Sequence, residues 1–164
     1  MGIYEIKATT TVAATPEQVW AVLDDFGNWP AWMPSMQGLR IDLLSSGEPR
    51  MGYRFRLRGK VTAAELEVTG FDRYERSTRF RLNLPPLSGE NHCRLIPLED
   101  GHYRIERFDR LKLPGPVIKF LDATQRARFE KLAAEFVLTL KRTTEERANH
   151  AQTNHSKPAS NRRT

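Results

Sequence analysis

The sequence predicts an α+β fold: a curved antiparallel β-sheet of about seven strands wrapped around a long C-terminal helix, with two short helices between the first and second strands. Three observations predict it. Residues 50–84 alternate apolar and polar side chains with the two-residue period of strands that face a core on one side. Residues 117 to about 142 carry one apolar stripe at helical spacing. Between them in kind, residues 15–34 hold a capped helix and then a proline-broken aromatic segment that cannot continue as a long helix.

IYEIKATTTVA, residues 3–13, alternates and is rich in β-branched types, the pattern of a strand. Thr15-Pro16-Glu17-Gln18 opens a helix. Thr15 caps it, Pro16 suits the first helical position and Gln18 completes a capping box. Val19, Val22, Leu23 and Phe26 form its apolar face, and Gly27 is the expected stop. FGNWPAWMP, residues 26–34, then gathers two tryptophans, a phenylalanine and a methionine in a chain whose mean hydropathy is -0.58. Pro30 and Pro34 stiffen this segment, so Trp29 and Trp32 are expected to plug an open end of the sheet.

RMGYRFRLRGKVTAAELEV, residues 50–68, reads as a hairpin turning at Gly59-Lys60, with glycine first as a type II′ turn prefers. That turn pairs Arg58 with Val61, Phe55 with Ala64, Arg54 with Glu65 and Tyr53 with Leu66. One face then carries Met51, Tyr53, Phe55, Leu57, Leu66 and Val68, and the other Arg54, Arg56, Arg58, Glu65 and Glu67. The arginine row invites a nucleic-acid reading. Its acidic cross-strand partners make it a solvated outer face, and no specific nucleic-acid partner is expected.

Residues 77–84 set Thr78, Phe80, Leu82 and Leu84 against Arg79, Arg81 and Asn83, and Pro85-Pro86 ends that strand. Two more strands cover about 90–98 and 102–112, joined by Glu99-Asp100-Gly101. On the last, Tyr103, Ile105, Arg107, Asp109 and Leu111 share a face. Pro114-Gly115-Pro116 breaks the chain before one long helix, roughly 35–40 Å in length. Its stripe is Ile118, Leu121, Phe129, Leu132, Phe136 and Leu140, and Gln125 occupies the place where a further apolar member belongs.

The 164 residues suffice for one domain with a sizeable core. The net charge of +6 is unevenly placed. Residues 147–164 hold four basic residues and no acid, which leaves 22 basic against 20 acidic residues in residues 1–146. That tail has no large apolar residue and is expected to be disordered, a solubilising terminus with at most weak attraction to nucleic acid or anionic lipid. The domain is therefore placed at residues 1–146. A single cysteine, Cys93, excludes an internal disulfide and a multi-cysteine metal site. The start lacks the charged and apolar regions of a secretory signal, and Ile6 stands where a myristoylation motif needs Ser or Thr. No window approaches 18 consecutive apolar residues, so no transmembrane segment is expected. A cytoplasmic protein is expected, with monomer and homodimer both open.

Several stretches carry a family likeness: Val12-Ala13-Ala14-Thr15-Pro16-Glu17-Gln18-Val19-Trp20, Phe26-Gly27-Asn28-Trp29-Pro30-Ala31-Trp32, Val68-Thr69-Gly70-Phe71-Asp72, and the turn from Pro97 to Gly101 leading into Tyr103-Arg104-Ile105. With the order of elements, they resemble the START-like, helix-grip superfamily, also called SRPBCC, and within it the polyketide cyclase/dehydrase and lipid-transport branch. The resemblance covers roughly residues 3–142. It implies a cavity under the long helix that takes a hydrophobic ligand, in proteins of which some are enzymes. The family pattern often has a histidine on the last strand, where this chain has Arg107, and an aromatic near Cys93.

The strand faces and the helix stripe direct Met51, Tyr53, Phe55, Leu66, Phe80, Leu82 and Ile105 toward Leu121, Phe129 and Leu132, with Trp29 and Trp32 at the end. That interior is a packed core or a ligand pocket. Four polar residues point the same way by the same periodicity: Asn91, Arg107, Asp109 and Gln125. The rise per residue of helix and strand would bring Gln125 level with Arg107. A buried charge must be paired. Arg107, held by Asp109, is therefore either a cation offered to a carboxylate, phosphate or carbonyl of a mostly apolar ligand, or half of a structural pair at the rim.

Proton-transfer candidates are few. His92 and His102 fall on the outward face or in a turn, and His150 and His155 lie in the tail. That leaves Asp109 and Tyr53. No nucleophile motif or phosphate loop is present, His92 has no partner at metal-ligand spacing, and no cofactor is expected. Two readings stand. One is a protein that binds a small hydrophobic or amphipathic ligand, lipid- or polyketide-like by the resemblance, without chemistry. The other is a cyclase or dehydratase, aromatase/cyclase-like, in which Asp109, Arg107 and Tyr53 position and polarise the substrate. An interaction module using the basic tail is a third.

Overall fold

A computed structural model describes residues 1–155. Seven strands, β1 (Gly2–Val12), β2 (Arg40–Leu43), β3 (Arg54–Arg58), β4 (Ala63–Phe71), β5 (Glu75–Asn83), β6 (Pro86–Pro97) and β7 (Tyr103–Leu113), form one sheet. Its order is β1-β7-β6-β5-β4-β3-β2, with every neighbouring pair antiparallel. Strands β2 to β7 are thus a meander, and β1 adds to the outer side of β7. Helices α1 (Pro16–Leu23) and α2 (Trp29–Trp32) carry the chain from the β1 edge to the β2 edge. After β7 come α3 (Gly115–Thr124) and α4 (Arg126–His155), and α4 packs chiefly on β1 and α1. This is the expected helix-grip α+β arrangement.

The first helix starts as its sequence dictates. The Thr15 hydroxyl accepts from Gln18 N–H at 3.2 Å, and Thr15 N–H donates to Gln18 Oε1 at 2.9 Å. It ends earlier than expected, at Leu23, and Gly27 falls within a 3-10 turn over Phe26–Asn28. A second 3-10 turn, Pro34–Met36, follows α2. The aromatic segment packs as predicted at its first tryptophan. Trp29 is buried, donates its indole N–H to Leu23 O at 2.9 Å, and meets Phe26 and Phe55 edge-on.

The β3–β4 hairpin departs from its expected turn. Gly59 has no positive φ, which a type II′ turn requires, and the connection spans residues 59–62, closed by Gly59 N–H on Thr62 O at 2.8 Å. Asn83 holds this loop, its Oδ1 accepting from Ala63 N–H at 2.7 Å. The pairing is consequently Phe55 with Leu66, Arg56 with Glu65 and Arg54 with Glu67. The slip from the predicted register is two residues, an even number, so every side chain keeps its face.

The long helix differs in two ways. It breaks at Gln125, whose φ of -126° and ψ of -11° are not helical, so the gap in the apolar stripe marks a joint and not a buried polar member. Beyond the joint, α4 buries Ala133, Phe136, Val137, Leu140 and Thr144, while Leu132 is left 41% exposed. The helix also runs on to His155, through residues 147–155 that the sequence places in a disordered tail. These residues include no proline or glycine to stop the helix, and once a helix is nucleated each further residue fixed adds one hydrogen bond. The rest of that tail lies outside the described residues. Among the described residues, no helix is long and apolar enough to cross a membrane.

Candidate functional site

The inner face of the sheet and the helices form two adjoining chambers, both partly open to solvent, of about 280 Å³ and about 260 Å³. The first lies against the middle of the sheet. Leu57, Ala64, Leu66 and Val68 reach it from β3 and β4, Phe80 and Leu82 from β5, and Trp29 closes it. The second lies nearer α4, lined by Tyr4 and Ile6 of β1, Leu111 of β7, and Phe129, Leu132 and Ala133. Six residues face both: Met33, Met36, Phe80, Asn91, Arg107 and Phe136.

The polar groups of this shared wall form one chain of hydrogen bonds. Asp109 and Arg107 sit two apart on β7, and Asn91 faces Asp109 across the ladder from β6. Arg107 Nε donates to both carboxylate oxygens of Asp109 at 2.9 Å. Asn91 Nδ2 donates to Asp109 Oδ1 at 2.5 Å, and Asn91 Oδ1 accepts from the Thr78 hydroxyl at 3.4 Å. The Arg107 guanidinium lies 3.8 Å from the centre of the Phe136 ring. Its two Nη groups have no hydrogen-bond acceptor among the described residues, and its side chain is 20% exposed. The Asp109 carboxylate is therefore occupied, and the free donors of the pair belong to Arg107.

A second ion pair borders the first chamber. Asp24, at the end of α1, accepts from Arg76 Nε at 3.0 Å and from Arg76 Nη2 at 3.1 Å. Arg76 Nη1 donates to the Asp72 and Glu75 carbonyls, and its guanidinium lies 3.7 Å from the Phe71 ring centre. Burial pushes the Asp24 carboxyl above the usual range, and Arg76 opposes that shift. This pair is closed on itself, with every guanidinium nitrogen engaged. Cys93 lies between the two pairs. It faces Arg107 on one side of its strand and Arg76 on the other. Burial pushes its thiol up to about 12, so it is a protonated wall atom and not a nucleophile.

The structure separates the predicted site residues into groups. Trp29, Leu66, Phe80, Leu82, Asn91 and Arg107 line the first chamber. Asp109, Phe129 and Leu132 line the second. Trp32 lines neither; it packs on Phe136 at 6.2 Å, with its indole N–H buried and without a partner among the described residues. Phe55 and Ile105 are fully buried core residues, Phe55 being stacked on Phe26 at 4.1 Å. Tyr53 is buried but faces an outer groove beside Gly27 and Phe71. Leu121 belongs to the small core cluster around Tyr4 and Leu113, and Gln125 is the helix joint. Gln125 therefore does not come level with Arg107; Phe136, three turns further on, takes that place. Met51 is 59% exposed, because Gly52 turns the chain with a φ of +76° and β3 begins only at Arg54.

Several lining residues are not obvious from sequence. Arg76 shares the parity of Thr78, Phe80 and Leu82, so extending that strand by one inward position finds it. Asp24 places an anion at the unfavourable end of a helix, a signal that something other than capping keeps it there. Tyr4 follows the inward parity of β1, and its hydroxyl is buried without a hydrogen-bond partner among the described residues.

A family described as Polyketide cyclase / dehydrase and lipid transport matches residues 4–145. Among solved structures, a START superfamily protein from Mycobacterium smegmatis is similar with a TM-score of 0.62, at 18% identity, covering 88% of this chain and 99% of that one. An aromatase/cyclase from Streptomyces sp. R1128 is similar with a TM-score of 0.65, at 18% identity, covering 90% and 96%. A norcoclaurine synthase point mutant from Thalictrum flavum, in complex with a transition-state analogue, is similar with a TM-score of 0.67, at 13% identity, covering 90% and 97%. At such identities the likeness is one of fold. No sequence among curated proteins matches the chain.

Proposed function

The chain belongs to the polyketide cyclase/dehydrase and lipid transport family, and we propose that it holds a small hydrophobic or amphipathic ligand, lipid- or polyketide-like, between the sheet and α4. The ligand-binding unit is residues 1–146. The observation that carries this reading is Arg107. Its Nε is fixed by Asp109, Asn91 fixes Asp109, and among the described residues its Nη groups have no acceptor at the wall of an apolar cavity. Free N–H donors in such surroundings bind a ligand oxygen more strongly than in water. The apolar body of the ligand is then held by the aliphatic and aromatic walls, and the oxygen fixes its orientation.

Cyclase or dehydratase chemistry in the same cavity is the second reading, and the aromatase/cyclase of like fold favours it. It would need the Asp109 carboxylate to exchange a proton with the substrate, and Tyr53 within reach. Asp109 is engaged by Arg107 and Asn91, and Tyr53 faces the outer groove. Both observations favour carriage.

The test is calorimetric titration with 2-naphthoate and with its methyl ester. Wild type is expected to prefer the acid about ten-fold or more, and Arg107→Met to lose that preference while still binding the ester. Equal weakening of both ligands would contradict the contact with Arg107.

A further inference from the structure

Each chamber alone is smaller than the roughly 300–1,000 Å³ of a usual small-molecule site, whereas the two together fall within that range. The partition between them is also adaptable. Met33 and Met36 are unbranched side chains that re-pack easily, and Arg107 is the long side chain beside them. Among the described residues, the arginine donors left unengaged at the cavity lie on this partition, with apolar wall on both sides: Leu66 and Leu82 in one direction, Ile6 and Leu111 in the other. The other charged pair bordering the first chamber, Asp24 with Arg76, has its guanidinium nitrogens already engaged.

Resting on the carrier reading above, we infer that the ligand carries its hydrogen-bond acceptor in the middle of the molecule, a ketone, enol or ester oxygen flanked by an apolar limb on each side, with one limb in each chamber. A ligand with its oxygen at one end would satisfy Arg107 from a single chamber and leave the other without an occupant. A central oxygen lets both chambers fill and keeps the Arg107 Nη groups at the point of closest approach. The acceptor forms no bond and loses no proton; it only receives N–H donors.

Two isomeric dialkyl ketones test this, because they have the same composition and differ in where the oxygen sits: pentadecan-8-one, with seven carbons on each side, and pentadecan-2-one, with a single methyl on one side. Wild type is expected to bind the central ketone about ten-fold tighter, the worth of one hydrogen bond to a charged donor. Ala64 faces only the first chamber and Ala133 only the second. Ala64→Leu and Ala133→Leu should each weaken the central ketone several-fold, with folding checked by circular dichroism. Equal affinity of the two isomers overturns the inference and leaves the carrier reading standing, as does an Ala133→Leu variant whose affinity is unchanged while Ala64→Leu loses binding. If neither ketone binds and 2-naphthoate does not bind either, the carrier reading falls with it. The isomer comparison needs no variant, so a misfolded substitution does not remove the test.

Discussion

The guanidinium carbon of Arg107 lies 3.8 Å from the centroid of the Phe136 ring, a cation–π contact that joins β7 to α4 at the wall between two chambers. Partly desolvated contacts of this kind are worth about 0.5–2 kcal/mol. A double-mutant cycle on Arg107→Met and Phe136→Leu, read by urea unfolding, should show coupling of that size. Additivity to within ~0.5 kcal/mol would show that the two groups are merely adjacent.

Gly89 is expected to tolerate no side chain. A Cβ there would lie 2.5 Å from the Arg110 carbonyl oxygen and 2.6 Å from Phe80 Cζ. The carbonyl belongs to the β6–β7 ladder, so relief requires those strands to shift and Phe80 to move as well, and Phe80 faces both chambers. Gly89→Ala should lower stability by about 1–3 kcal/mol and weaken 2-naphthoate binding. A denaturation midpoint equal to wild type would contradict the close packing.

Asp24 sets a slope of stability with pH. Its folded-state pKa is raised, chiefly by burial, above the ordinary aspartate value. Its contribution is therefore fully present below that ordinary value and is lost as pH rises through the raised one. The stability of wild type relative to Asp24→Asn should fall as pH rises from about 4. A difference that grows with pH would have the wrong sign. Removing the partner instead, by Arg76→Met, leaves a buried carboxylate unpaired and should cost about 3–5 kcal/mol.

Glu145 behaves in the opposite sense. Burial raises its pKa, but the Ala13 N–H at 2.9 Å and the Lys141 ammonium at 2.5 Å hold the ionised form, and the net shift is downward. Its contribution is present above the ordinary glutamate value and is lost as pH falls through the lowered one. Glu145→Ala should cost ~1.5–3 kcal/mol at neutral pH by freeing α4 from the end of β1, and the penalty should shrink below about pH 4. A penalty independent of pH would mean that Glu145 acts through packing alone.

Most of the fold was legible because its signals are local. Alternation in β3, β4 and β5 assigns inward and outward faces without knowledge of the turn. That is why the assignment survived a wrong turn type at Gly59, since a slip of two residues preserves parity. The short strand β2, Arg40–Leu43, has too few residues for alternation to locate it. The joint at Gln125 was visible as a missing apolar residue, but periodicity alone cannot tell a break from a buried polar side chain. The Arg107–Asp109–Asn91 chain was legible from strand parity, because all three lie on adjacent strands. Phe136 under Arg107 was not, because the alignment of helix on strand depends on the joint at Gln125. The division of the cavity in two depends on how Met33 and Met36 fill space between elements, which no repeat in the sequence reports.

Native mass spectrometry of the purified protein, followed by denaturing extraction, reads ligand occupancy most directly. The expected mass is greater than that of the chain by one small molecule, either as purified or after exposure to pooled lipids and polyketide-like aromatics, and Arg107→Met is expected to retain less of it. A wild-type protein that stays at the mass of the bare chain under both conditions would contradict a ligand-binding role.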